Sequence, residues 1–208
     1  MPKFPEPPAP AKLAAVAPAL HVLPSGTWIW RLYFQAGAHP TTWKQFRAWG
    51  PTAARFDHHV PPPSIQEREI LYGAVGPQAA ATAVAEAFQA NRVVERVRRA
   101  PTWVAFATTS DLALLDLTGT WPTRAGASMA IASGRRDRAR RWSRAVHTAY
   151  PHVQGLFYCS SMNANEPCVA LYERAIRVMP SNPEFHRLLS DPIVLTMLEN
   201  ACARSRTR

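Results

Sequence analysis

Short apolar runs separated by proline-rich and polar segments dominate the pattern of this chain. Runs rich in β-branched, aromatic and aliphatic residues favour strands. They are residues 27–34 (TWIWRLYF), 70–75 (ILYGAV), 102–109 (TWVAFATT), 112–119 (LALLDLTG), 155–159 (GLFYC) and 168–174 (CVALYER). The last two flank a loop, SSMNANEP, so we expect them to form a late strand pair.

Three other segments carry the spacing of amphipathic helices. Residues 78–99 place Val84 and Phe88 on one side and contain no proline or glycine, which predicts the clearest helix of the chain. Residues 137–150 predict a second helix, which the following proline ends, and residues 192–203 predict a third. Because strands and helices do not alternate regularly, the sequence predicts the α+β class.

The 208 residues suit one sizeable domain. We expect a Pro/Ala-rich arm with one short helical turn over residues 1–24, a single domain over residues 25–203, and a basic tail over residues 204–208. Residues 35–63 are polar and punctuated by proline, so we expect no regular elements there. A segment of that length is long enough to carry function.

Composition and charge limit the classes of function. A hydrophobic content of 47% with 18% charged residues is typical of a folded domain. The net charge of +10 indicates an acidic partner, which nucleic acid, an anionic cofactor or an acidic protein would each satisfy. No apolar run approaches the roughly 18 residues needed to cross a bilayer, the proline-broken N-terminus lacks the pattern of a secretory signal, and the three cysteines form no CxxC pair. We therefore expect a cytoplasmic protein that has no membrane partner.

Five polar or aromatic residues within or beside apolar runs are candidates for chemistry: Arg31, Arg55, Tyr72, Glu86 and Ser160. A charge in such a run is costly unless it is used. The set suits a dinucleotide, because guanidinium groups match phosphate oxygens and an aromatic ring can face a base. A carboxylate would stabilise a developing sugar cation, and a hydroxyl would orient the scissile end.

Each candidate also has a purely structural interpretation. Glu86 would be a solvated helix glutamate, and Arg31 would form an ion pair with Asp57 or Asp116. Arg55 would make a local turn pair with Asp57. Tyr72 would be a core strand residue, and the adjacent serines would be turn formers.

The order Arg31, Glu86, Ser160, with the neighbours of each, resembles the RES domain family of bacterial NAD-consuming toxins, which is named for those three residues. The similar blocks extend from about residue 30 to residue 173. They are RLYF, GPTAARFDHH, ILYGAVGPQAAATAVAEAFQ, LLDLTG, RARRWSRAVHTAY, GLFYCSS and CVALYERA. The resemblance implies a fold like that of mono-ADP-ribosyltransferases: a mixed split sheet with flanking helices, and NAD in a cleft between the two sheet halves.

The resemblance also implies a role for each residue. Arg31 and Arg55 would bind the pyrophosphate, and Tyr72 would line the nicotinamide end. Glu86 would stabilise the oxocarbenium-like ribose as nicotinamide leaves, and Ser160 would orient the nicotinamide ribose or amide. The catalytic set is then Glu86, Ser160 and Arg31, with NAD as substrate and no metal.

Two positions need comment against the family pattern. We prefer Ser160 to Ser161 because it follows Tyr158 by two residues, as in the YxS pattern of the family. At the second arginine, Arg55, this chain has ARFD where the family often has GRW.

The resemblance implies a toxin that degrades NAD as a phosphorylase or glycohydrolase, with inorganic phosphate or water as acceptor, and a paired antitoxin protein. ADP-ribosyl transfer to a specific protein is the alternative reaction, and homo-oligomers are compatible with either. Six arginines in residues 135–144 raise the further alternative of a basic nucleic-acid-binding module. Only Trp142 accompanies them and no known nucleic-acid motif does, so we expect a solvated face or a surface that docks an acidic antitoxin.

Two remaining constellations are weaker. His58 and His59 form a loop pair that we expect at the polar surface, and no second cluster at ligand spacing supports a metal site. A hydrolase pairing of Ser160 with His147 or His152 lacks a GxSxG turn, so we rank it below NAD chemistry.

Overall fold

A computed structural model of the chain describes residues 4–88 and 93–206, within which one mixed sheet is flanked by helices. The strands are β1 Leu20–Leu23, β2 Trp28–Phe34, β3 Arg47–Gly50, β4 Ser64–Ala74, β5 Pro101–Ala107, β6 Leu112–Asp116, β7 Gly155–Cys159, β8 Pro167–Tyr172 and β9 Phe185–Leu188. The helices are α1 Pro10–Ala14, α2 Ala79–Phe88, α3 Trp121–Arg124, α4 Ala130–Ser133, α5 Arg136–Ala149 and α6 Pro192–Arg206, with a 3₁₀ helix at Glu173–Val178.

The strand order is β1-β6-β7-β8-β4-β2-β5-β9, and β3 pairs with the outer part of β4. Strands β6 and β7 run parallel, and the other neighbours run antiparallel. The predicted α+β class and the late strand pair, β7 and β8, are confirmed.

The sheet splits between β2 and β4. These strands share a single register pair, Trp30 with Ala74, whereas β2 pairs with β5 along its whole length. Gly73 permits the close approach, because a Cβ there would lie 2.4 Å from Cγ2 of Ile29 and 3.2 Å from the carbonyl oxygen of Trp30. Beyond this contact the two strands are not hydrogen-bonded to each other. The opening between them is the split that the family resemblance implies.

Both faces of the sheet are buried against other parts of the chain, and alternate side chains of β8 contribute to the core on each face. Cys168, Ala170 and Tyr172 point to one face, where they pack with α3, α4 and α5. Val169 and Leu171 point to the other face, because successive side chains of a strand alternate. All five are fully buried, which explains why this strand reads as a continuous apolar run.

The N-terminal segment is tied to this framework. Within the predicted arm, α1 packs on α5 and β1 adds an antiparallel edge strand to β6. Phe4 is buried, and Trp142 Nε1 donates to the carbonyl oxygen of Pro5 at 2.9 Å. The carboxylate of Glu6 bonds the side chains of Arg138 and Arg141 of α5.

Three predicted boundaries were wrong. The helix expected over residues 78–99 does not reach Arg99: α2 ends at Phe88, residues 89–92 lie outside the described residues, and 93–100 form bends and turns. Arg99 itself has a positive φ of 67°, which helices exclude. Strand β4 has 11 residues rather than the short run around ILYGAV, and β3 lies inside the segment expected to lack elements.

Candidate active site

A cavity of about 230 Å³ lies at the split in the sheet. It is bounded by β2, the loop that precedes β4, the end of β4, α2 and the first turn of α5. Its walls are formed by Trp30, Arg31, Leu32, Phe34, Ala54, Arg55, Tyr72, Gly73, Ala74, Ala83, Glu86, Ala87, Arg136, Tyr158 and Ser161. The structure therefore brings four of the five predicted residues, Arg31, Arg55, Tyr72 and Glu86, to one cavity from four separate parts of the chain.

The fifth predicted residue, Ser160, is buried and contacts Glu86 directly. Its Oγ donates to Oε1 of Glu86 at 2.5 Å and accepts from the backbone N–H groups of Met162 and Asn163, each at 3.1 Å. Backbone N–H groups only donate, so the single hydroxyl proton of Ser160 goes to the carboxylate. The loop is anchored on α2 by Asn163 Nδ2, which donates to Thr82 Oγ1 at 2.8 Å. The position of Glu86 is thus set by a loop of β7–β8.

The two adjacent serines differ in exposure. Ser160 is 1% exposed, whereas Ser161 is exposed and lies on the cavity wall. The preference for Ser160 as the residue that contacts substrate stays a prediction. What the structure adds is that Ser160 contacts Glu86, and that Ser161 offers the hydroxyl on the wall.

Arg31 is held by backbone carbonyls. Its Nη1 donates to the carbonyl oxygens of Trp43 at 2.8 Å and Gln45 at 3.1 Å, in the loop between β2 and β3. Burial lowers the pKa of Arg31 to about 10, so the side chain remains a cation at neutral pH. The alternative of an ion pair with Asp57 or Asp116 was wrong: among the described residues, Asp57 pairs with Arg47, and the carboxylate of Asp116 accepts from Thr118.

Arg55 is fixed by the turn that precedes α5. Its Nη1 donates to the carbonyl oxygen of Gly134 at 2.6 Å, and its Nη2 lies 3.5 Å from that of Ser133. Burial and the neighbouring Arg136 lower the pKa of Arg55, and the nearby carboxylate of Glu86 opposes this effect. The structure contradicts the local turn pair with Asp57. Arg55 instead lines the cavity together with the charged residues Arg31, Glu86 and Arg136.

Asp57 instead organises the loop that carries Arg55. Its carboxylate accepts from the backbone N–H and the hydroxyl of Thr52 at 2.6 and 2.7 Å and from Nδ1 of His59 at 2.6 Å, and it forms an ion pair with Arg47 at 3.0 Å. Burial opposes its ionisation, but the hydrogen bonds from His59 and Thr52 and the charge of Arg47 hold the pKa of Asp57 well below its usual value. The loop is therefore rigidly attached to β3.

Two tyrosines complete the wall. The hydroxyl of Tyr72, on β4, accepts from the backbone N–H of Phe56 at 3.2 Å, and Tyr158 packs edge-on against the ring of Phe56. Burial raises the pKa of both tyrosines well above the usual value, so both stay neutral. Tyr72 packs on the core and also lines the cavity. Its predicted place at the nicotinamide end stays a prediction.

His58 and His59 are fully buried, so their predicted surface position was wrong. Nδ1 of His59 bonds Asp57, as described above. His58 stacks on His147 with ring centroids 4.4 Å apart, and donor atoms of His58, His147 and Glu173 lie within 4.8 Å of one another. That group has the donors a metal would need. Nε2 of His147 already bonds Glu173 at 2.8 Å, and Arg174 lies 3.5 Å from the same carboxylate.

Internal contacts account for much of the basic run over residues 135–144. Arg138 and Arg141 bond Glu6, and Arg141 also bonds Asp137 together with Arg135. Arg144 is half-buried, with its Nη1 3.5 Å from a loop carbonyl oxygen. The first residues of the chain therefore cover part of the face that was expected to be solvated, and Arg135 and Arg136 remain exposed.

Sequence reasoning missed two residues of the cavity. Arg136, the first residue of α5, was grouped with the basic run, although it lines the cavity. Gly73 was read only as part of a strand. A glycine inside an apolar strand is a signal for a close backbone approach, and it could have marked this position.

Comparison with solved structures supports the fold. A chain of the crystal structure of the M. tuberculosis MbcT–MbcA toxin–antitoxin complex is similar, with a TM-score of 0.59 over 92% of this chain and 96% of that chain, at 21% sequence identity. The architecture is therefore one that a chain of a toxin–antitoxin complex also adopts. No family model and no curated protein matches the sequence. None of the described helices has the length and apolar character needed to cross a membrane.

Proposed function

We propose that this chain is a RES-type toxin enzyme that cleaves the nicotinamide–ribose bond of NAD, by phosphorolysis or hydrolysis, and so depletes cellular NAD. The observation that carries the proposal is the Ser160–Glu86 pair, which sets a carboxylate on the wall of a cavity that three arginines also line. The resemblance in residue order and the shared fold support it.

The roles follow from charge and position. When the bond between C1′ and the nicotinamide nitrogen breaks, its electron pair leaves with nicotinamide and positive charge develops at C1′ and the ring oxygen. The fixed carboxylate of Glu86 stabilises that charge, and a group already in place needs no reorganisation as the charge forms. The hydrogen bond from Ser160 holds the carboxylate, so Ser160 is a positioning residue in this scheme.

The binding residues divide between two parts of NAD, the central pyrophosphate and the nicotinamide end. Arg31 and Arg55 hold the pyrophosphate, and Tyr72 lines the nicotinamide end. Ser161 supplies a hydroxyl on the wall within the same pocket. The acceptor, phosphate or water, then forms a C1′–oxygen bond and loses a proton. No metal takes part in this scheme.

The partner in this proposal is a cognate antitoxin in the cytoplasm. The similar structure is of a toxin–antitoxin complex. The net charge of +10 suits an acidic partner, and covering the cavity would be the simplest way for it to inhibit. The pairing of Arg138 and Arg141 with Glu6 favours the enzyme over a nucleic-acid-binding module, because it neutralises part of the basic run.

The proposal is tested by incubating purified protein with NAD, with and without inorganic phosphate, and measuring NAD loss and nicotinamide release. Glu86→Gln keeps the shape of the side chain and removes its charge, so it should abolish turnover and leave NAD binding intact. Glu67→Gln, at an exposed position of β4, is the matched control and should retain full activity.

Phosphate-dependent loss indicates phosphorolysis, and phosphate-independent loss indicates hydrolysis. ADP-ribosyl transfer is recognised by label from NAD appearing on a protein of a cell extract. Turnover by Glu86→Gln equal to that of the unmodified protein would remove Glu86 from the mechanism.

A further inference from the structure

Arg55, one of the predicted site residues, shares the cavity with a second arginine that the sequence analysis did not include, Arg136. Both line the cavity, Arg55 from the loop before β4 and Arg136 from the first turn of α5. Among the charged neighbours of Arg55, Arg136 lowers its pKa the most, and the carboxylate of Glu86 raises it. The fold therefore concentrates more positive than negative charge at this end of the cavity.

Hydrogen bonds to the backbone hold the side chain of Arg55 near the start of α5. Arg55 donates to the carbonyl oxygens of Ser133 and Gly134, which lie just before Arg135, the N-cap residue of α5. The guanidinium of Arg55 is thereby fixed beside the helix start from which Arg136 projects. Arg136 is exposed and Arg55 is half-buried, so a ligand that enters from solvent can reach Arg136.

The surroundings favour an anion with several oxygens. Like charges in one concave region repel, and an anion between them relieves the repulsion. The start of α5 adds backbone N–H groups with partial positive charge. Asp137 is the acidic residue in that first turn, and its carboxylate is occupied by Arg135 and Arg141.

We propose that Arg55 and Arg136 together form an oxyanion subsite that takes a phosphate group. Two sources share this chemistry: the pyrophosphate of a dinucleotide, and free orthophosphate acting as the acceptor. The inference rests on the proposed function only for the identity of the ligand, and it assigns to Arg136 a binding role that residue order along the chain does not indicate.

The test uses ligands that the protein cannot turn over. Binding of ADP-ribose, orthophosphate and nicotinamide is measured by calorimetry for the unmodified protein, Arg136→Gln and Arg135→Gln. Arg135 is the matched control, since it carries the same charge one residue away. Its side chain is 72% exposed and forms an ion pair with Asp137. Because Arg136→Gln removes a charge-assisted hydrogen bond, it should lower the affinity for phosphate-containing ligands about tenfold or more. Nicotinamide, which has no phosphate, should bind unchanged.

Loss of ADP-ribose affinity assigns the subsite to the pyrophosphate, and loss of orthophosphate affinity alone assigns it to the acceptor. Unchanged affinity of Arg136→Gln for both ligands, or equal losses in Arg135→Gln, would overturn the subsite, as would an unmodified protein that binds neither. The proposed function fails differently: NAD would not be consumed, while ADP-ribose or orthophosphate would still bind in an Arg136-dependent way. Because Arg136 is exposed, circular dichroism and the melting temperature should match those of the unmodified protein.

Discussion

Ser160 and Glu86 lie 74 residues apart in the chain, and the hydroxyl of the first donates to the carboxylate of the second at 2.5 Å. Two elements meet through this bond: the loop after β7 and the last turn of α2. The same hydroxyl oxygen accepts two backbone N–H groups, so its orientation is fixed. The relationship makes Ser160 part of the machinery that holds Glu86, whether or not it touches substrate.

We predict that Ser160→Ala lowers kcat for NAD cleavage by about 10- to 100-fold, since a lost hydrogen bond to a charged group costs about 1.5–3 kcal/mol. KM should change much less, because the residue is buried and acts through Glu86. Steady-state kinetics would measure both. In Ser161→Ala, an effect on KM larger than that on kcat would agree with its place on the wall. If Ser161→Ala lowered kcat and Ser160→Ala did not, the assignment would be reversed.

Arg31→Ala should weaken NAD binding more than Arg55→Ala. Arg31 also joins β2 to the loop carbonyls of Trp43 and Gln45, so the variant loses a binding cation and shifts that side of the cavity. Equilibrium dialysis with NAD would compare the two variants, with the exposed Arg98→Ala as control. Equal, negligible effects would show that neither arginine holds the pyrophosphate.

Gly73→Ala should destabilise the protein by about 1–3 kcal/mol, the usual cost of overpacking. The added Cβ would lie 2.4 Å from Cγ2 of Ile29, where β2 and β4 meet. Chemical denaturation would measure the loss. In an Ile29→Ala background, which removes that methyl group, the penalty of Gly73→Ala should shrink, and a penalty that stayed the same would assign the effect to another contact.

Stability should fall as the pH drops from about 6.5 toward 4, because burial lowers the pKa of His58 to about 4. Between these values the unfolded chain binds a proton that the folded protein does not, which costs up to about 1.4 kcal/mol per pH unit. His147, stacked on His58, has a pKa lowered by burial and adds to the effect, whereas Glu173 contributes below about pH 4.5.

Urea denaturation at pH 7 and pH 5 would measure this dependence. His58→Gln should reduce it, and the exposed His152→Gln should leave it unchanged. The same pH dependence in His58→Gln as in the unmodified protein would show that His58 is not the group responsible.

Local patterns were sufficient for much of the fold. Helix α5 was predicted over residues 137–150 and runs from Arg136 to Ala149, because its amphipathic spacing and the following Pro151 are local signals. The strand pair β7–β8 was equally clear. These elements bury a continuous apolar face, which a sequence displays directly.

Tertiary contacts decided what the sequence did not show. Strand β3 has the sequence RAWG, which shows no apolar pattern typical of a strand. It is defined by its backbone pairing with β4, a tertiary contact that the sequence does not display. The burial of His58 and His59 depends on Asp57 and Glu173, and Glu173 is more than 100 residues distant in the chain. Likewise, the four candidate residues that line the cavity were chosen from the sequence. Arg136 is brought near Arg55 by the contacts of Arg55 with the carbonyl oxygens of residues 133 and 134, which the sequence does not display.

The single register pair between β2 and β4 has a mechanical consequence. On one side of it lie β4 and the strands that follow it toward β1, and on the other lie β2, β5 and β9. A ligand bound in the cavity would contact residues of both β2 and β4 and would therefore link the two parts of the sheet. Occupancy should therefore raise the melting temperature with ligand concentration, and sheet amides near Trp30 and Ala74 should exchange their hydrogens more slowly when the cavity is filled.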